Sequence, residues 1–393
     1  MKPRIDNFQL LSKPTSSVCN IDCEYCFYLE KEHLYPERKH NWQMDEVTLE
    51  NYVKKNIHSQ PADTIDFIWQ GGEPTLAGLA FYKKAVALQR KYAGKKQINN
   101  YFQTNGIKLD KEWLLFLKEH NFLVGISIDG NSLHHDAYRK TRSGKSTYDK
   151  VKKAIGLMNQ YGVDFNTLTV VSDANVDEPI QVYESLKKLG SRYMQFIPLV
   201  ERIANQPTED GLYLIKPDFS GASDIAPWTV PNDKYGKFLN KIFDHWYRND
   251  IGHCFVMNFE QTMTQLVGGR GICIFEPECG ANLALEANGD IYSCDHFVFP
   301  DNKIGNINED KLSMLINSDQ QLEFSHSKLK NIDQDCLTCP VRKMCNGGCP
   351  KHRFLASRNG LRNKNYLCQS YKEHFTHVLP YMNNIIANIF GNK

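Results

Sequence analysis

Cys19-Asn20-Ile21-Asp22-Cys23-Glu24-Tyr25-Cys26 sets three cysteines in eight residues with the spacing C-x3-C-x2-C. The stretch follows the apolar run Phe8-Gln9-Leu10-Leu11 and reads as a loop at a strand end. Three thiolates on one short loop can converge on one metal site. A four-iron cluster held by three protein thiolates leaves one iron without a protein ligand, and an open coordination position is where metal chemistry takes place. The competing reading is half of a zinc site. Zinc sites favour paired C-x2-C knuckles with further ligands close by, and only His33 and His40 follow within short reach.

Outward from this loop the chain alternates strand and helix. Strand-like runs occur near Phe8–Leu11 and at Asp63–Trp69, Ile98–Thr104, Phe122–Ile128, Asp164–Val171 and Arg192–Ile197. Helical patterns lie between them at Asp45–His58, Leu79–Tyr92, Asp110–His120, Tyr148–Tyr161 and Val176–Leu189. Asp45 is an N-cap signal, and Gly162 and Gly190 stop two helices as C-terminal glycines do. Such alternation predicts a parallel sheet with right-handed crossovers, and six units can close partly into a barrel. Chemistry is then expected at the C-terminal strand ends.

The cysteine loop followed by Phe27-Tyr28, in a chain of this alternation, resembles the radical S-adenosylmethionine (SAM) superfamily. The resemblance implies an open (β/α)6 barrel and a 4Fe-4S cluster on Cys19, Cys23 and Cys26. It also implies that SAM binds the open iron and is cleaved reductively to a 5′-deoxyadenosyl radical. Trp69-Gln70-Gly71-Gly72-Glu73-Pro74 is similar to the GGE motif that holds the SAM amino group, which makes Gly71, Gly72 and Glu73 cofactor-binding positions. By the same resemblance Ser127 and Arg139 contact SAM, with Arg139 facing its carboxylate, a task that a planar guanidinium suits. Val200 matches an apolar position flanking the adenine, and Tyr25 a SAM-contacting aromatic.

The C-terminal third carries Cys273, Cys279, Cys294, Cys336, Cys339, Cys345, Cys349 and Cys368. Eight thiolates make two sets of four, and four thiolates close a four-iron cluster; two zinc ribbons are the alternative on spacing. The pattern resembles the SPASM extension of peptide-modifying radical SAM enzymes. That resemblance implies one auxiliary cluster on Cys273, Cys279, Cys294 and Cys349, and a second on Cys336, Cys339, Cys345 and Cys368. Cys254, the twelfth cysteine, reads as a small buried hydrophobe.

Ser293-Cys294-Asp295-His296-Phe297-Val298 resembles the anaerobic sulfatase-maturating enzymes, as do GGEPTL, QTNG, SIDG and QFIP, with no departure at a ligand position. The resemblance implies oxidation of a Cys or Ser side chain in a sulfatase polypeptide to Cα-formylglycine, with Asp295 as the catalytic base. It implies three 4Fe-4S clusters, SAM, a sulfatase polypeptide as partner, and a low-potential electron donor such as flavodoxin or ferredoxin. Met44, Gln70 and Gln103 are candidates for the peptide's surroundings. Another SPASM enzyme, forming a thioether or crosslink, is the rival within this class. With 18 residues before Cys19, an N-terminal peptide-recognition domain is not expected. A zinc-stabilised binding protein is the rival outside it.

Composition narrows the rest. The chain has 393 residues, and 41% hydrophobic content fits a globular protein with ample core; mean hydropathy is -0.49. Lys+Arg of 47 against Asp+Glu of 45 gives a net charge of +2, no electrostatic case for nucleic acid as partner. No apolar run is long enough for a membrane span, and Met1-Lys2-Pro3-Arg4-Ile5-Asp6 lacks a signal-peptide core, so a cytoplasmic location is expected. Twelve cysteines in such a compartment read as metal ligands rather than disulfides. The expected organisation is a radical SAM partial barrel over 1–230, a helical connector over 231–270, and a SPASM domain with a C-terminal helix over 271–393. Within the first part, 201–233 reads as a long loop serving as lid or substrate wall.

Overall fold

Alternating burial along the strand-like runs matches the pleat of a sheet covered by helices. In the computed structural model, which describes residues 5–35 and 42–390, these runs form six parallel strands. They are β1 (Gln9–Ser12), β2 (Thr64–Trp69), β3 (Gln97–Thr104), β4 (Phe122–Ser127), β5 (Phe165–Val171) and β6 (Tyr193–Pro198). His40 and the first four residues lie outside the described residues. The expected helices occupy the crossovers at Glu46–His58, Leu79–Tyr92, Lys111–Glu119, Tyr148–Tyr161 and Pro179–Lys188. Asp45 caps the first by accepting from the Thr48 N–H at 2.7 Å, and Gly162 ends the fourth in the left-handed region at φ 65°.

Four more strands extend the sheet: β7 (Phe255–Val256), β8 (Asn282–Leu285), β9 (Asp290–Tyr292) and β10 (Lys303–Asn306). The order is β7-β6-β5-β4-β3-β2-β1-β8-β9-β10, so β1 and β6 never pair and the barrel stays open. β8 adds parallel to β1, with Gln9 opposite Asn282 and Ser12 opposite Leu285. The sheet therefore runs on into the cysteine-rich third. This pairing sets the C-terminal ends of β1 and β8 side by side, and the Lys13 N–H donates to the Leu285 carbonyl at 2.8 Å.

The core is aromatic where β2 and β3 meet their helices. Trp69 is fully buried and meets Tyr52 and Tyr82 edge-on at 5.5 Å each. Its indole N–H donates to Asn100 Oδ1 at 2.8 Å, so this large ring buries no unpaired donor. Farther on, the helix Tyr235–Asn249 packs along Cys368–Phe390. Gly236 permits this closeness: a Cβ there would lie 2.4 Å from the Ser370 carbonyl oxygen.

The 201–233 stretch holds one short antiparallel pair, Arg202–Ala204 with Ser223–Ile225. It is tied to the N-terminal loop, because Glu30 Oε2 accepts from the N–H groups of Tyr213 and Leu214, each at 2.9 Å. Leu212 and Ile215 turn inward and are buried, so the segment forms a wall.

Candidate active site and thiol clusters

The Cys19–Cys26 loop leaves β1 at its C-terminal end, the face expected for chemistry. Each of its three thiols lies in the electrostatic field of the other two. Burial pushes the Cys19 thiol up to about 12, and Cys23 and Cys26 upward as well. Cys19, Cys23 and Cys26 are all free of disulfides. Buried thiols that converge but cannot ionise alone suit a cationic iron centre, which supplies the missing charge and deprotonates them on binding.

Gly71 and Gly72 earn their place by packing against this loop. A Cβ on Gly72 would stand 2.2 Å from the Val18 carbonyl oxygen, and one on Gly71 2.9 Å from that of Ser16. Gly71 also has φ 131°, a region that favours glycine. The Gly72 and Glu73 N–H groups donate to those same carbonyls, Ser16 and Val18, at 2.7 and 2.9 Å. Glu73 is wholly buried and accepts from Thr75 N, Thr75 Oγ1, Thr104 Oγ1 and Asn105 N at 2.6–3.0 Å. These four donors fill a carboxylate's acceptor sites. Burial raises its carboxyl, while those bonds pull it back down. Asn105 then reaches Asn20 Oδ1 at 2.7 Å, so Glu73 braces the cysteine loop across β2 and β3. The preceding Gln70 has a buried Nε2 with no acceptor, the kind of unmet donor a ligand would complete.

Arg139 pairs in antiparallel register with Cys23, which brings its guanidinium beside the loop. It makes a two-pronged contact with Asp129, Nε to Oδ2 at 2.8 Å and Nη2 to Oδ1 at 3.2 Å. The Tyr25 hydroxyl donates to the same Asp129 Oδ2 at 2.7 Å, and the guanidinium stands 5.5 Å from the Tyr25 ring centre. Asp129 lies inside the SIDG motif, yet the sequence gave it no role; its binding partners are what identify it. Ser127 Oγ accepts from Gln103 Nε2 at 3.0 Å. Val200 is buried in the main core, whereas its neighbour Leu199 packs with Tyr25, Ala226 and Trp228. Met44 is also a core residue. His134 and His135 form no metal site: they pair with Glu178 and Thr147 at 3.1 and 3.0 Å.

The eight thiols of the C-terminal third fall into two groups. Cys273, Cys279, Cys294 and Cys349 each act electrostatically on the other three. Cys336, Cys339, Cys345 and Cys368 do the same, and they line a cavity of about 460 Å³. Burial pushes Cys279 and Cys345 up to about 12 and Cys336 up to about 11. Two buried cations accompany them. Lys328 Nζ donates to the Cys273 and Ile274 carbonyls at 2.9 and 3.0 Å. Arg353 is anchored on the Lys328 and Gly347 carbonyls at 2.6 and 3.0 Å and lies within the field of thiols from both sets. Four-thiolate sets with buried cations fit iron-sulfur clusters, whose negative charge such neighbours offset. Cys254 is buried in the main core, outside all three groups.

Asp295 follows Cys294 and is held by Lys13, Nζ to Oδ1 at 2.5 Å. Burial pushes its carboxyl up, but Lys13, His296 and Lys31 together outweigh this and hold it at about 2. Lys13 also sits 3.8 Å above the Tyr28 ring centre. Tyr28 hydrogen-bonds to Glu286 Oε1, and Ser16 Oγ donates to Glu286 Oε2 at 2.7 Å. Glu286 has no exposed surface; burial raises its carboxyl to about 7, with Lys13 and Ser16 opposing. Two carboxylates near one ammonium are thus driven to opposite ends of the scale. Lys13 and Glu286 carry no local motif; they follow directly on β1 and β8, which the strand pairing aligns.

Comparison with known proteins gives this geometry a family. Residues 14–186 match the radical SAM superfamily model and residues 275–340 an iron-sulfur cluster-binding domain, SPASM. A serine-type anaerobic sulfatase-maturating enzyme of Bacteroides thetaiotaomicron is 41% identical over 95% of this chain and 90% of its own. A cysteine-type enzyme of Clostridium perfringens is 34% identical over 97% and 98%. A solved structure of native anSMEcpe with bound AdoMet and Cp18Cys peptide superposes with a TM-score of 0.82 at 33% identity, covering 97% of this chain and 99% of that one. The chain therefore belongs to the anaerobic sulfatase-maturating enzymes of the radical SAM superfamily.

Proposed function

We propose that the chain oxidises a Cys or Ser side chain of a sulfatase polypeptide to Cα-formylglycine, using SAM and three 4Fe-4S clusters. When bound, these groups supply a hydrogen-abstracting radical and a sink for one electron. The net oxidation takes a hydrogen atom from Cβ, a proton from the thiol or hydroxyl, and one electron. Cys19, Cys23 and Cys26 would hold the SAM-binding cluster. Cys273, Cys279, Cys294 and Cys349 would hold one auxiliary cluster, and Cys336, Cys339, Cys345 and Cys368 the other. Tyr25, Gly71, Gly72, Glu73, Ser127, Arg139 and Val200 would form the SAM site, with Arg139 kept ionised and oriented by Asp129.

Asp295 is the residue placed to take the proton. The observation that carries this is its ion pair with Lys13, one residue from a thiol of the auxiliary set. A carboxylate held at about 2 is ionised throughout the physiological range, ready to accept. Its basicity is low, so the transfer is driven by the electron leaving the substrate in the same oxidation. The 201–233 wall and the buried Phe299 would shield this face from water.

A low-potential carrier such as flavodoxin or ferredoxin would deliver the starting electron, and the enzyme would work in the cytoplasm. Among the described residues no helix is long and apolar enough to cross a membrane. The test is an anaerobic assay with SAM, reductant and two sulfatase-derived peptides, one with Cys and one with Ser at the target. Aldehyde formation, read as mass loss, supports the reading and reports target preference; a thioether or crosslink product instead would reject it.

A further inference from the structure

Beside Asp295 lies a pocket of about 330 Å³ lined by Phe27, Lys31, His296, Phe299 and Lys351, and walled by Leu214 of the 201–233 segment. Its charged groups differ in one respect. Lys351 is ion-paired with Glu201 and stands 4.1 Å from the Phe27 ring centre. Glu30, also on the lining, is engaged by the Tyr213 and Leu214 N–H groups. His296 Nδ1 is 3.5 Å from Cys349 Sγ, and burial holds the imidazole neutral, down at about 3. Lys31 is only 4% exposed, yet its Nζ has no hydrogen-bond acceptor. It has aromatic neighbours instead, with the Phe299 ring centre at 4.2 Å and that of Phe27 at 5.4 Å.

Burying an ammonium with nothing to receive its protons is unfavourable, and ring faces compensate only in part. A lysine so placed is suited to an oxygen that arrives from outside. Asp295 acts on Lys31 electrostatically, so the two groups face a common region. We propose that Lys31 binds an acceptor oxygen of the substrate polypeptide, either a main-chain carbonyl or an acidic side chain beside the target residue. The assignment rests on the reading of this face as the peptide site. Phe27 and Phe299 would supply the apolar floor, and Lys31 the hydrogen bond that fixes where the peptide sits relative to Asp295.

The test measures equilibrium peptide binding to the iron-loaded, SAM-bound enzyme under anaerobic conditions. Wild type is compared with Lys31→Met, which keeps the length and removes the charge. Two sulfatase-derived peptides are used, one without acidic side chains near the target and one with a glutamate on either side. Lys31→Met is expected to weaken binding by about tenfold or more, the scale of a lost charged hydrogen bond. Loss with both peptides identifies a main-chain carbonyl, and loss only with the glutamate peptide an acidic side chain. Iron content and melting temperature monitor folding, and Lys31→Gln takes the place of the methionine variant if that protein does not load iron. Equal affinity of wild type and variant for both peptides overturns the proposal. Failure of wild type itself to bind either peptide overturns the functional reading with it.

Discussion

Lys13 Nζ lies 2.5 Å from Asp295 Oδ1, joining the end of β1 to the residue that follows a thiol of the auxiliary set. This pair fixes the state of the proposed base. Asp295→Asn keeps the shape and removes the basicity, so peptide oxidation should fall by about a hundredfold or more. Release of 5′-deoxyadenosine should continue, since hydrogen abstraction precedes proton removal. With Asp295 held at about 2, the wild-type rate should show no acid limb from this group above about pH 4. Equal aldehyde yields from wild type and variant would remove Asp295 from the mechanism.

Glu286 carries a stability signature of opposite sign. Its folded value of about 7 lies above the ordinary 4.5, so the native state binds more protons than the unfolded state between those values. The associated stability is fully present below about pH 4.5 and is lost as pH rises through about 7. A shift of that size is worth on the order of 3 kcal/mol. Glu286→Gln should flatten this dependence, measured as melting temperature from pH 5 to 8 for both proteins. Parallel curves would show that Glu286 does not titrate there.

Asp129→Asn should weaken SAM binding without emptying the cluster. The change leaves the buried Arg139 without its ionised partner and weakens the acceptor of Tyr25. Breaking a buried pair by altering one member typically costs about 3–5 kcal/mol. We expect SAM affinity to fall by about tenfold or more, together with a lower melting temperature, while iron content stays at the wild-type level. Unchanged SAM affinity would mean that Asp129 has no part in orienting Arg139 for the cofactor.

Gly72→Ala should act on the cluster instead. The added methyl would meet the Val18 carbonyl at 2.2 Å, a backbone atom with no side-chain freedom to yield. The loop carrying Cys19 must then move, and the variant should lose about four irons per chain, one cluster's worth. Gly78→Ala is the control for a positive-φ glycine, since at φ 84° no atom lies within 4 Å of its Cβ position. It should keep its iron and lose only stability, by about 1 kcal/mol.

The sequence alone determined the strand-helix alternation, the helix ends at Asp45 and Gly162, and the three-cysteine loop. Each is a local signal, carried by burial period, capping chemistry or close spacing within a few residues. The resemblance extended that to a family and a candidate base. The partition of eight thiols into Cys273, Cys279, Cys294, Cys349 and Cys336, Cys339, Cys345, Cys368 is interleaved in sequence, so spacing leaves it open, and folding sorts it. Lys13, Lys31, Asp129, Glu286 and Arg353 have no motif that marks a function. Parallel pairing of β1 with β8 brings Lys13 to Glu286 and Asp295, and the short pairing of Cys23 with Arg139 sets the guanidinium beside the cysteine loop. Those contacts join segments far apart in the chain, and their electrostatics depend on burial that local sequence does not encode. The tertiary structure therefore decided which charges meet.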